Sequence, residues 1–315
     1  MKPAEPKAGA AVRPGETGPV PGAHRFAHEA MATLFEIHCV HPDPHYARQA
    51  AQAAFDLVDR LEQEQSRFVA NSDVSRINQL SAGQRTRVSP STMECLQIAR
   101  RMYDVTGRAF DVSLGSGLLG LALVPEDFLV EARADGLRLD LGGIGKGYAV
   151  DRAVELLGEW EIRNALVHGG FSSVLALDAP PERDGWPLTL SSPWREDHEV
   201  LARVDARHRA FSASGTRKGG HVRDPRTAKP VRGRAAWVAL PRAGEGQEDA
   251  AALAEALSTA FLVLREEEVT DLVRQWPGLE VWLLREPVQG ATATPALIHL
   301  AGKQRTASPG EHKGG

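Results

Sequence analysis

The hydrophobic period of the chain changes repeatedly, and each change marks an element. Thr33–Val40 (TLFEIHCV) alternates and predicts a strand. From Tyr46 to Gln65 the apolar residues Ala50, Ala53, Ala54, Leu57, Val58 and Leu61 recur at helical spacing, and this stripe ends before Ser66-Arg67-Phe68. Thr92–Val105 predicts a second helix, stopped at Thr106-Gly107. Leu137–Leu141 is expected to form a short strand, followed by a glycine turn and a helix from Lys146 to about Leu157. Strands are expected at Ala165–His168 and Ser173–Leu177, split by Gly169-Gly170, and near Pro187–Leu190, Val200–Val204 and Ala235–Leu240. Ala250–Leu264 is a strongly apolar helix, and Leu279–Leu284 and Ala296–Leu300 end the series as strands. Helices interleave with strands and hairpins, so the expected class is α+β, with a mixed, largely antiparallel sheet and packed helices.

No repeat or internal linker divides this pattern. Residues 1–24 are expected to be a disordered leader; residues 1–23 hold five prolines and four glycines. Residues 25–301 form a single domain, and residues 302–315 are a polar, Gly-rich tail. The leader has no apolar stretch of signal-peptide length and no nearby cysteine for lipid attachment, which leads to the expectation of a cytoplasmic protein. No run reaches the roughly 18 apolar residues of a membrane span.

Composition narrows the function classes. With 315 residues, 25% charged and a net charge of −4, the chain lacks the basic excess of a nucleic-acid binder. Cys39 and Cys95 are its only cysteines, so neither a disulfide framework nor a cysteine metal site is indicated.

Four clusters carry candidate chemistry. His221-Val222-Arg223-Asp224-Pro225-Arg226-Thr227-Ala228-Lys229-Pro230 places a histidine, a carboxylate and three cations on a stretch stiffened by two prolines. Such a loop suits an anionic ligand, and it is also an ordinary turn with a basic face. Asp140-Leu141-Gly142-Gly143-Ile144-Gly145-Lys146-Gly147 fits neither a P-loop nor a dinucleotide fingerprint. Its glycines and helix-start amides could receive an anion, with Lys146 adding a cation, or it is a tight turn with a surface lysine. Ala109-Phe110-Asp111, and Ser66-Arg67-Phe68 ahead of Ser72-Asp73, read as ligand contacts or as helix caps. Glu255 and Thr259 share one face of an otherwise apolar helix. They need partners there, and a hard cation with oxygen ligands is one solution; an exposed polar stripe is the other.

These clusters, with Met31-Ala32-Thr33, Ser212-Ala213-Ser214-Gly215 and Ala254–Thr259, stand in an order that resembles the FAD:protein FMN transferase family, also called ApbE. The resemblance spans residues 25 to 285 and implies a T-fold-related α+β domain. It implies FAD as substrate with Mg²⁺, transfer of FMN to a threonine or serine hydroxyl of an acceptor protein, and release of AMP. By position, Met31, Phe68, Ala109, Phe110, Asp111, Asp140, Lys146 and Val222 match flavin-nucleotide contacts. Gly143, Glu255 and Thr259 match the metal site. His221 matches the histidine implicated in catalysis, and Asp224 could orient it or belong only to the turn. Four positions depart from the family pattern: Glu255 where Asp is usual, Ala228 where Gly closes the "DPRTG" turn, Ala32 where Gly is usual, and a short segment from Ser214 to His221. Two alternatives use the same site: hydrolysis of FAD to FMN and AMP, and FAD binding without turnover.

Overall fold

Phe35, Ile37 and Cys39 point into the core while Glu36 and His38 turn the other way, as the alternation of Thr33–Val40 requires. The protein is seen in a computed structural model that describes residues 11–14, 20, 22–193, 200–216, 222–242, 248–285 and 297–302. In chain order its elements are β1 (Ala11–Pro14), β2 (Ala23–Ala30), β3 (Thr33–Val40), α1 (Pro44–Gln65), α2 (Asp73–Ile77), β4 (Arg85–Arg87), α3 (Pro90–Val105), β5 (Leu121–Val124), β6 (Leu129–Ala132), α4 (Gly145–Glu159), β7 (Ala165–Gly169), β8 (Ser173–Ala176), β9 (Trp186–Ser191), β10 (Val200–Ala206), β11 (Arg209–Gly215), β12 (Arg234–Pro241), α5 (Ala250–Val263), α6 (Glu266–Gln275), β13 (Glu280–Arg285) and β14 (Leu297–Ala301).

An eight-stranded sheet in the order β14-β13-β12-β11-β8-β7-β3-β2 organises the molecule, and its pairings are antiparallel. One face carries Ile37, Val167, Leu175 and Val238 against the helices, with α5 buried along nearly its whole length. The opposite face carries Val174, Phe211, Trp237 and Trp282, covered by Trp186, Leu188 and Leu190 of β9 in the small sheet β1-β9-β10. A third sheet, β4-β6-β5, packs beside the helical layer. Cys39 and Cys95 are buried and unlinked. Among the described residues no helix is long and apolar enough to cross a membrane.

Two expectations need correction. Leu137–Leu141 forms no strand, because side chains and loops satisfy its backbone. Asn78 clamps Leu139 from both sides (N–H to Oδ1, 2.6 Å; Nδ2 to the carbonyl, 3.0 Å), and Arg138 N–H donates to Ser116 Oγ at 2.9 Å. Asp140 N–H donates to the Val112 carbonyl at 2.8 Å. Within the leader, Ala11–Pro14 is ordered as β1, paired antiparallel with β9. Helices α1 and α3 also begin earlier than their apolar stripes, at Pro44 and Pro90. Proline is pre-set for a first turn, and Asp43 and Ser89 cap the ends.

Candidate active site

Helices α4 and α5 cross at their N-terminal halves, and the crossing places the polar residues of both. Neither helix is capped by its own N-cap side chain. Each is capped by an acid of the other. Glu255 on α5 accepts from Gly147 N–H at 2.6 Å, in the first turn of α4. Asp151 on α4 accepts from Ala251 and Ala252 N–H at 2.9 and 2.8 Å, in the first turn of α5. The approach is so close that a Cβ on Gly147 would lie 2.3 Å from the Ala251 carbonyl oxygen. Burial pushes the Asp151 carboxyl well up, against the pull of those two amides.

Glu255 is 4% exposed, and its second oxygen pairs with the Lys146 ammonium. Lys146 also donates to the Gly142 carbonyl at 3.3 Å. Lys146 is therefore a half-buried, ion-paired residue rather than a surface lysine. One turn on from Glu255, Thr259 Oγ1 lies 3.4 Å from Ser214 Oγ on β11. Ser214 and Ser212 reach Ser258 Oγ at 2.8 and 3.1 Å, so a chain of hydroxyls joins β11 to α5. Gly143 packs against Thr259 and Phe110: a Cβ there would sit 3.6 Å from Thr259 Oγ1 and 3.3 Å from the Phe110 ring.

Above these residues opens a cavity of about 620 Å³. Four segments wall it: the turn 109–115, the turn 140–143, the end of β11, and the loop from Val222 to Ala228, with Thr259 on the α5 side. Of the residues singled out in the sequence, Ala109, Phe110, Asp111, Asp140, Gly143, Val222, Asp224 and Thr259 line this cavity, and Phe68, Lys146 and Glu255 do not. The acids on the wall are already engaged. Asp111 accepts from Ser113 N–H and Oγ and from Gly115 N–H, which holds its turn. Asp140 accepts from Gly142 N–H at 2.9 Å and from Arg67 Nε at 2.8 Å. Arg67 in turn lies 4.1 Å over the ring of Phe68, which is 81% exposed and is not among the cavity-lining residues. Asp224 belongs to the turn: both its oxygens accept from the Arg226 guanidinium, at 3.1 and 3.2 Å. Burial raises its carboxyl, but the Arg226 bonds outweigh this and hold it below the usual range.

Met31 does not line the cavity. It sits in the two-residue β2–β3 turn, where its N–H donates to Glu62 at 2.8 Å. His221 lies outside the described residues; its neighbour Val222 is on the cavity wall. Ser214 and Ser172 also line the cavity and were given no role by sequence reasoning. The Ser212–Gly215 motif held the signal for Ser214. The closing turn of the loop places Ala228 at φ 58°, the left-handed region where the family pattern has glycine.

A family model described as ApbE matches residues 31–119 and 120–283. The chain belongs to the ApbE family. Among its ApbE relatives, the FAD:protein FMN transferase of Vibrio cholerae is 24% identical over 277 residues, covering 75% of this chain and 80% of that protein. The FAD:protein FMN transferase of Salmonella typhimurium is 24% identical over 324 aligned positions, covering 88% of each. The solved flavin transferase ApbE from Vibrio cholerae matches with a TM-score of 0.74 at 19% identity, over 88% of this chain and 97% of that one. The ApbE protein from Thermotoga maritima matches with a TM-score of 0.71 at 21% identity, over 83% and 94%. At these identities the solved structures show a shared fold.

Proposed function

We propose that this protein is an FAD:protein FMN transferase that uses Mg²⁺, moves FMN to a threonine or serine hydroxyl of an acceptor protein and releases AMP. The carrying observation is the grouping of Lys146, Glu255, Thr259 and the Gly142–Gly143 turn beside the 620 Å³ cavity of an ApbE-family chain. The donor set there is all oxygen, which fits a hard divalent cation: the Glu255 carboxylate, the Thr259 and Ser214 hydroxyls and the turn carbonyls. Glu255, Thr259 and Gly143 would hold Mg²⁺, which supplies charge neutralisation of the FAD pyrophosphate.

The remaining work falls to the chain's own groups. Lys146 would place a cation beside the same anion. The engaged carboxylates Asp111 and Asp140 keep their turns in shape, so the cavity is formed before the ligand arrives. The acceptor hydroxyl oxygen forms a bond to the FMN phosphorus, and the bond from that phosphorus to the bridging oxygen breaks. The electron pair leaves with AMP. The hydroxyl proton needs a base, and His221, next to the cavity-lining Val222, is assigned that part.

Incubation with FAD, MgCl₂ and threonine-containing acceptor peptides, read by intact mass and by nucleotide chromatography, tests the proposal. Peptide carrying FMN with an equivalent of AMP is expected. Free FMN plus AMP would make the protein a hydrolase, and unchanged FAD a binding protein. His221→Ala is expected to keep FAD affinity and lose transfer by about 10²–10⁴-fold. Parallel loss of FAD binding would remove the base assignment.

A further inference from the structure

The Lys146–Glu255 pair occupies the carboxylate that a metal would need. Glu255 is almost wholly buried, and both its oxygens are in use, one by the Gly147 amide and one by the Lys146 ammonium. The amide bond is part of the α4 cap and is fixed by the crossing of α4 and α5. The ammonium is carried on a flexible four-carbon stem, so it is the group that can be given up. A divalent cation and an ammonium on the same carboxylate repel each other strongly where water is scarce. The other contact of Lys146 shows where it can go, because Gly142, whose carbonyl it touches, is a cavity-lining residue.

We propose that Lys146 is the resident counter-ion of Glu255, and that a divalent cation reaches the carboxylate only by displacing the Lys146 ammonium toward the nucleotide cavity. The inference rests on the reading of that cavity as a site for FAD and Mg²⁺. Metal alone leaves Lys146 half-buried without an anion. Metal with FAD offers it the pyrophosphate. Mg²⁺ and FAD therefore bind with positive coupling, each tightening the other by the same factor. Lys146 is the positioning residue that creates this coupling. Glu255 is one methylene longer than the aspartate usual in the family, and in this chain its carboxylate spans the Gly147 amide and the Lys146 ammonium together.

Two measurements test this, neither of which reads turnover. In calorimetry with MgCl₂ alone, Lys146→Met is expected to bind metal at least tenfold more tightly than the wild type. The gain that FAD confers on metal binding should shrink in the variant and return in Lys146→Arg. In the unaltered protein, acetic anhydride labelling read by peptide mass is expected to rise several-fold at Lys146 on adding MgCl₂, and to fall again with FAD. Exposed Lys229 serves as the internal reference. Saturating Mg²⁺ that leaves Lys146 labelling unchanged would overturn the displacement, as would a folded Lys146→Met that binds Mg²⁺ no more tightly. Absence of FAD binding at every MgCl₂ concentration would remove the reading of the cavity itself, and the inference with it.

Discussion

Ala228 shows how one methyl group tests a family pattern. The Ala228 N–H donates to the Asp224 carbonyl at 2.7 Å, closing the turn that carries Asp224 and Pro225 to the cavity wall. That closure needs φ near 58°, where a Cβ crowds the carbonyl and costs roughly 1–2 kcal/mol. Glycine loses more backbone entropy on folding, which offsets part of the gain. Ala228→Gly should therefore raise stability by about 0.5–1 kcal/mol in urea unfolding, with FAD affinity unchanged or improved. A destabilised Ala228→Gly would show that the turn is held by its contacts rather than limited by its backbone. The missing glycine was visible in the sequence. The positive φ that makes it matter required coordinates.

Among the elements, the α4–α5 crossing governs the site. It aligns Lys146 with Glu255 and sets Thr259 beside Gly143, and it depends on Gly147 having no side chain. Gly147→Ala would push a methyl against the α5 backbone, which cannot rotate away. A loss of about 2–3 kcal/mol or more is expected by chemical denaturation, together with weaker Mg²⁺ binding. Unchanged stability would mean the two helices separate easily, and the shared capping would then be incidental. The glycine-rich motif was legible as a turn into a helix, though the strand expected ahead of it does not form. Its mutual capping was not, because Asp151 and Glu255 are over one hundred residues apart and only the packing joins them. Some elements also escaped periodicity. Strand β11 (RAFSASG) is rich in small residues, and α6 is held at its start by Glu268, which accepts from the Arg265 N–H at 2.8 Å, rather than marked by a long apolar stripe.

At the scale of the whole molecule, the sheet separates the helical face from a second layer that buries charge. Glu36, His38 and His168 share that second face with Arg25, and the buried His168 ring packs edge-on against His38 with its centroid 6.3 Å away. Burial, with His38 nearby, lowers His168 from 6.5 to about 4. Between those values the unfolded chain binds more protons, so stability is complete above pH 6.5 and falls as the pH drops toward 4. The full loss is about 3 kcal/mol. Glu36 is held at about 2 by His38 and Arg25 against the effect of burial, so its contribution is intact above 4.5 and disappears as the pH falls toward 2. His168→Leu should flatten the first limb, giving similar urea midpoints at pH 7 and pH 4.5. A variant as acid-sensitive as the parent would move the cause elsewhere.

Local sequence determined the elements whose pattern repeats at short range. The alternation of Thr33–Val40, the stripe of α1, the apolar run of α5 and the capped starts at Asp43 and Ser89 all follow from side-chain spacing and backbone preference. The ordered set of motifs also carried the family, because each is a short string that survives without its neighbours. Tertiary structure alone decided what those strings touch. It turned Leu137–Leu141 from a strand into a segment clamped by Asn78, drew Ala11–Pro14 into a sheet, and assigned Asp224 to Arg226. It also paired Lys146 with Glu255. Apart from the local Asp224–Arg226 contact, these outcomes depend on which distant donor or acceptor the packing brings to each polar group, and spacing along a chain holds no record of that.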